Sequence, residues 1–169
     1  MKTVFLIRHA KSSWDQGGLA DIDRPLNARG KATAPIMADI IFNKGIRPDL
    51  IITSPAKRAR STAKYFRKKY GIKKTEVQIE PALYHGDENS VIEVIRNLPD
   101  SINIVMLFGH NPSMNYLSAL FSDKGMHVPT CGIQHLEFHI DKWTELSPDK
   151  TALKEFIYPK QFIPEETND

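Results

Sequence analysis

Cysteine is almost absent from this chain of 169 residues, with Cys131 the single example. One thiol excludes an internal disulfide and a cysteine-rich zinc site, and it points to a reducing compartment. Long apolar runs are missing as well, since no stretch approaches the ~20 residues that a bilayer span requires. The first residues lead directly into a strand pattern and lack the features of a signal peptide. Cytoplasmic location and no membrane association are therefore expected. No G-x-x-x-x-G-K-[ST] run occurs, which removes a nucleotide-binding P-loop, and no H-E-x-x-H spacing suggests a zinc hydrolase. Nor is there a large excess of either charge. A net charge of +3 suits an anionic substrate but falls short of a nucleic-acid-binding balance.

What is present is an ordinary globular composition, 41% hydrophobic and 25% charged. The length fits one domain with a substantial core, expected over residues 1–162, followed by a flexible acidic tail at 163–169. Strand-like runs at 3–8, 50–53, 77–80 and 103–108 alternate with helical patterns at 28–42, 55–70, 88–97 and 112–121. This order predicts an α/β fold, a three-layer αβα sandwich around a mostly parallel sheet. Residues 134–140 alternate polar and apolar side chains and 153–158 form another extended segment, which places both toward the sheet's edge near the C-terminus. Asn27 reads as a helix cap, and Ser54-Pro55 and Asn111-Pro112 each read as a cap with proline at the first helical position. Pro35 should kink the first helix or delay its start.

Two apolar runs, Val4-Phe5-Leu6-Ile7 and Ile104-Val105-Met106-Leu107-Phe108, read as strands buried on both faces. Each ends in a histidine, as Arg8-His9 and as Gly109-His110. Parallel strands present their carboxyl ends on one edge, where open α/β sheets bind ligands. Arg58, in the first turn of the second helix, should lean back over the same edge. Guanidinium forks bind phosphoryl oxygens and stabilise their charge during transfer. An imidazole near its reference pKa of ~6.5 is a competent nucleophile, and adjacent cations favour its neutral form. Spacing thus assembles Arg8, His9, Arg58 and His110 into a site for phosphoryl chemistry. The second helix carries a core stripe of Ala59, Ala63, Phe66 and Tyr70. Lys57, Arg60, Lys64, Arg67 and Lys68 fall on its outer side, a solvated face or a docking surface. His85, His127, His135 and His139 lack such a constellation, and Pro129-Thr130-Cys131-Gly132 reads as a turn beside the pocket.

Arg8-His9-Ala10 resembles the R-H-G/A motif of the histidine phosphatase superfamily. Ser54-Pro55-x-x-Arg58-Ala59-x-x-Thr62-Ala63 is similar to its second motif and Gly109-His110 to its third. The stretch from Arg8 to Asp15, continued by Asp21-x-Asp23-Arg24-Pro25-Leu26-Asn27-x-Arg29-Gly30, resembles the SixA-like phosphohistidine phosphatases. The likeness follows order and spacing from about Met1 to Pro159. It implies that His9 attacks phosphorus while Arg8, Arg58 and His110 hold the phosphoryl oxygens, without cofactor or metal. Arg24 matches an arginine that enters the pocket in this branch, although it could equally pair with Asp21 or Asp23. Asn111 and Ser113, at a helix start, could add anion contacts.

Phosphomonoesterases of the superfamily usually bring a carboxylic acid from an insertion after the third strand. Here only Pro81 to Asp87 separates that strand from the next helix, and Glu80, Asp87 and Glu88 are the nearby acids. A leaving alkoxide needs a proton, its conjugate acid having a pKa near ~16. A leaving imidazole, with a pKa near ~6.5, departs with little help. The short connection therefore favours the P–N bond of a phosphohistidine-bearing protein, acted on by a monomer. A small phosphorylated substrate and a silent phosphate-binding module are the alternatives.

Overall fold

The computed structural model describes residues 1–122 and 125–164; positions 165–169 of the expected tail lie outside them. Six strands form one sheet: β1 (Lys2–Arg8), β2 (Leu50–Thr53), β3 (Gln78–Ile79), β4 (Ile104–Gly109), β5 (Ile133–Phe138) and β6 (Thr151–Ile157). Their order is β3-β2-β4-β1-β5-β6. The pairs from β3 through β2 and β4 to β1 are parallel, while β5 runs antiparallel to both β1 and β6. The sheet is thus mixed, its parallel half supplying the central strands.

Alternation along the buried strands builds two cores. Val4, Leu6, Val105 and Leu107 face one side of the sheet. Phe5, Ile7, Met106 and Phe108 face the other. Against the first side pack α3 (Ala82–His85), α4 (Glu88–Arg96) and α5 (Ser113–Phe121). Against the second lie α1 (Ala28–Asn43) and α2 (Lys57–Lys69). The expected αβα layering follows from side chains that must leave water on both faces.

Asn27 caps α1 as expected, its side chain accepting from the Gly30 N–H. Pro35 neither delays that helix nor ends it; α1 runs through it unbroken. The proline leaves the Lys31 carbonyl without its helical donor, and Lys31 is exposed, so water can satisfy the group. The other two caps differ from expectation. The residue before a proline avoids the helical region, and Ala56 too is extended, so α2 begins only at Lys57. Ser54 is thereby released from capping and faces the site. Likewise α5 begins at Ser113 with Pro112 before it, and Asn111 turns its amide to the Val128 carbonyl at 3.0 Å.

Candidate active site

The carboxyl ends of β1, β2 and β4 meet on one edge of the sheet. Arg8 pairs in register with Gly109, and the His9 N–H donates to the Gly109 carbonyl at 3.0 Å. The His9 and His110 rings lie 5.0 Å apart between centroids. Ser54, directly after β2, donates its backbone N–H to the Phe108 carbonyl at 2.9 Å. Two residues from different strand ends are thus fixed as neighbours by sheet register alone.

His9 is buried, and its Nδ1 lies 2.7 Å from the Ala10 carbonyl oxygen. A carbonyl only accepts, so Nδ1 carries the proton and the neutral ring keeps its lone pair on Nε2. Burial pushes the His9 pKa down to about 3, and His110, Arg58 and Arg8 add to the shift. The Ala10 N–H is tied to Thr62 Oγ1 at 2.9 Å, and Thr62 donates to the Arg58 carbonyl at 2.8 Å. The backbone after His9 is therefore pinned to α2.

His110 is reached by Ser54. The Ala56 N–H donates to Ser54 Oγ at 3.1 Å, and Ser54 Oγ lies 2.8 Å from His110 Nε2. A Ser54 hydroxyl that donates to Nε2 would place the His110 proton on Nδ1. That Nδ1 is buried without a partner. Burial and the nearby Arg58 bring the His110 pKa down to about 4. Arg8 donates from Nη1 to the Val128 carbonyl at 2.8 Å, while its Nε is also buried and unpartnered. Two buried, unpartnered side-chain nitrogens, one of them on a guanidinium, make an environment suited to an anion.

Arg58 and Arg24 are organised by a residue whose importance sequence reasoning missed. Asp21 accepts from Arg58 twice, with its carbonyl at 2.7 Å from Nη1 and its Oδ2 at 3.0 Å from Nη2. Its Oδ1 takes Arg24 Nη1 at 2.9 Å, and Tyr84 donates to Oδ2 at 2.8 Å. These donors hold the Asp21 carboxyl well below the usual carboxylate range. Two of the five Arg58 donors are engaged in this way. Of the two partners open to Arg24, the structure selects Asp21, and Arg24 also donates to Ser12 Oγ at 2.6 Å and stacks on Trp14 at 3.3 Å.

Glu80 and Asp87, which bound the short step after β3, each bond to backbone close by in the chain. Glu80 accepts from the Ala82 N–H, and Asp87 caps α4. Asp87 is held below its ordinary pKa by the Ser90 N–H and hydroxyl. The connection instead folds into α3, whose Tyr84 ring lies 5.5 Å from that of His110. Ser113 Oγ is directed to the Gly86 carbonyl at 3.3 Å. Cys131 forms the expected turn, at φ 59°, with its N–H on the Arg8 and His9 carbonyls. Complete burial pushes its thiol up to about 12, which rules out a thiolate nucleophile. His135 packs on Phe5, and among the described residues no group of acids, histidines and cysteine could hold a metal.

Comparison with known proteins agrees with this geometry. The model of the histidine phosphatase superfamily (branch 1) matches residues 4–87. A structure from Agrobacterium tumefaciens assigned to phosphohistidine phosphatase SixA is 31% identical, with a TM-score of 0.78 over 94% of this chain and 98% of that one.

The chain belongs to the histidine phosphatase superfamily.

Its place is on the SixA-like branch. The protein histidine phosphatase SixA complexed with tungstate shares the fold at a TM-score of 0.79 and 20% identity, covering 94% of this chain and 98% of that one. An uncharacterized chloroplastic protein of Arabidopsis thaliana is 31% identical over 153 residues, 85% of this chain and 70% of its own length. Within this superfamily the chain is a phosphatase. Among the described residues no helix is long and apolar enough to cross a membrane.

Proposed function

We propose that this histidine phosphatase hydrolyses the P–N bond of phosphohistidine in proteins, through a phosphohistidine formed on His9. The observation that carries the reading is His9, whose Nδ1 bonds the Ala10 carbonyl and leaves Nε2 unprotonated, beside a His110 whose buried Nδ1 has no partner. With Ser54 donating to Nε2, that Nδ1 carries a proton for the phosphoryl group. In the first step the Nε2 lone pair attacks phosphorus and the P–N bond to the substrate imidazole breaks. The departing ring takes a proton from water. In the second step water attacks phosphorus and the bond to His9 breaks, releasing inorganic phosphate. Arg8, Arg58 and His110 hold the phosphoryl oxygens throughout, and they counter the charge that develops on them. Arg24 supports Arg58 from the far side of Asp21.

The substrate class rests on the step after β3, where Tyr84 stands in place of an acid. The Tyr84 hydroxyl already donates to Asp21, and that bond raises its pKa, so it is a poor proton donor. An imidazole leaving group tolerates this, whereas an alkoxide does not. Brief exposure to a phosphohistidine protein or phosphoramidate should place an acid-labile label on His9 that is absent from His9→Ala. Undiminished turnover by that variant would refute the mechanism. Equal kcat/KM on an alkyl phosphate would refute the leaving-group argument.

A further inference from the structure

A groove of about 450 Å³ runs between α2 and the sheet edge at β3. Lys57, Arg60, Lys64 and Arg67 line one wall, and Lys74 contributes a fifth cation. The first four recur at the period of a helix and so form one stripe. None of the residues that line this groove is acidic. Among the described residues none of the five cations pairs with a carboxylate; the ion pairs of α2 are Arg58–Asp21 and Lys69–Asp39. Its floor is apolar, built by Ala63, Val77 and the half-exposed Ile79. Uncompensated cations of this number repel one another, so an anionic occupant relieves a cost that the isolated fold carries.

The groove begins where the active site ends. Thr53 lines it and directly precedes Ser54, which bonds His110; Lys57 directly precedes Arg58. On the other side of β3 the charge reverses. There a second groove is lined by Glu80, Asp87 and Glu93, with no cation among its lining residues. An acidic chain leaving the pocket would be turned away from that side and drawn along α2.

We infer that the α2–β3 groove docks an acidic segment of the phosphoprotein substrate, extended and carrying acidic and apolar side chains in alternation. This rests on the reading of the site as a phosphohistidine phosphatase and names its partner's chemistry. From Lys57 to Lys64 the helix rises about 10 Å, which an extended chain covers in about three residues. An extended acidic segment of a few residues is thus long enough to span that part of the stripe. An apolar floor and a bounded length favour such a segment over nucleic acid, whose regular phosphates have no use for Val77 and Ile79.

Two fluorescent peptides carrying one histidine test the inference, one with Glu and Leu alternating beside it and one with Gln in place of Glu. Wild type at low salt should bind the Glu peptide about tenfold more tightly, and Arg60→Gln/Lys64→Gln should lose about two- to fivefold per charge removed. The phosphorylated pair should show the same preference in kcat/KM, while a small phosphoramidate that cannot reach the groove is turned over equally by both proteins. Equal binding of the two peptides by wild type overturns the inference, as does a Glu preference that survives in the double variant. Tighter, stripe-dependent binding of a single-stranded RNA or of phosphatidylserine vesicles overturns it in favour of that partner. Binding of the Glu peptide without turnover of any phosphohistidine substrate leaves the groove standing and removes the reading of the site.

Discussion

Acid should destabilise this protein through its two site histidines, and replacing one of them should remove a measurable part of the effect. His9 and His110 have folded-state pKa values of about 3 and about 4, both depressed chiefly by burial. An unfolded histidine titrates near ~6.5. Above that value both states hold neutral rings and the histidines contribute nothing to the pH dependence. As pH falls from 6.5 the unfolded chain takes up protons that the folded chain refuses, so stability declines until the folded values are reached. Between pH 7.5 and 5.0 each ring accounts for a loss of roughly 2 kcal/mol, of a total stability of order 5–15 kcal/mol. His9→Gln removes one of the two contributions. With a urea m-value of about 2 kcal/mol per molar, the midpoint of the variant should fall about 1 M less than that of wild type over this range. Urea denaturation of both proteins at the two pH values measures the difference, and the carboxylates, present in both, cancel. Identical midpoint shifts would refute the argument, because they would mean that His9 is solvated or charged in the folded protein.

Two further outcomes follow from contacts of the site. Ser54→Ala removes the donor that directs the His110 proton to Nδ1, so kcat/KM should drop about tenfold, the loss of one net hydrogen bond, and Ser54→Thr should restore it. Nitrogen NMR of His110 should then report a mixture of tautomers in the alanine variant; an unchanged tautomer would show that Ser54 acts through packing alone. Gly30→Ala would bring a Cβ to 2.1 Å from the Lys11 carbonyl oxygen, where α1 crosses the chain leaving His9. A clash with backbone cannot relax by rotamer change, so thermal unfolding should show a loss of about 2–3 kcal/mol, with turnover reduced as the loop shifts; a melting curve like that of wild type would refute it.

Much of the site was legible because buried parallel strands announce themselves locally. An apolar run ending in Arg8-His9 or Gly109-His110 needs no distant information to be placed at a carboxyl edge. The strand ends Leu50–Thr53 and the first turn holding Arg58 were legible for the same reason. Errors came where a local rule competed with the site. Ser54 and Asn111 have good capping side chains, yet each is used for a longer-range contact, with His110 and the Val128 carbonyl. Pro35 does not delay the start of α1 at Ala28, and exposure of the freed carbonyl makes it tolerable there. Tyr84 gave no signal at all, since α3 is a single turn, too short to show a helical period.

The sequence by itself determined the alternation of elements, the layering of the sheet between helices and the meeting of Arg8, His9, Arg58 and His110, the side chains proposed to handle the phosphoryl group. Each follows from short-range pattern: which residues must leave water, and which lie one step beyond a strand. Only the tertiary structure decided the partners. Asp21 as the hub of Arg58, Arg24 and Tyr84, the Ser54–His110 contact, and the opposed charges on the two sides of β3 all join residues far apart in the chain. Hydrogen bonds and charges act over a few ångströms, and proximity between distant residues exists only once the chain has packed.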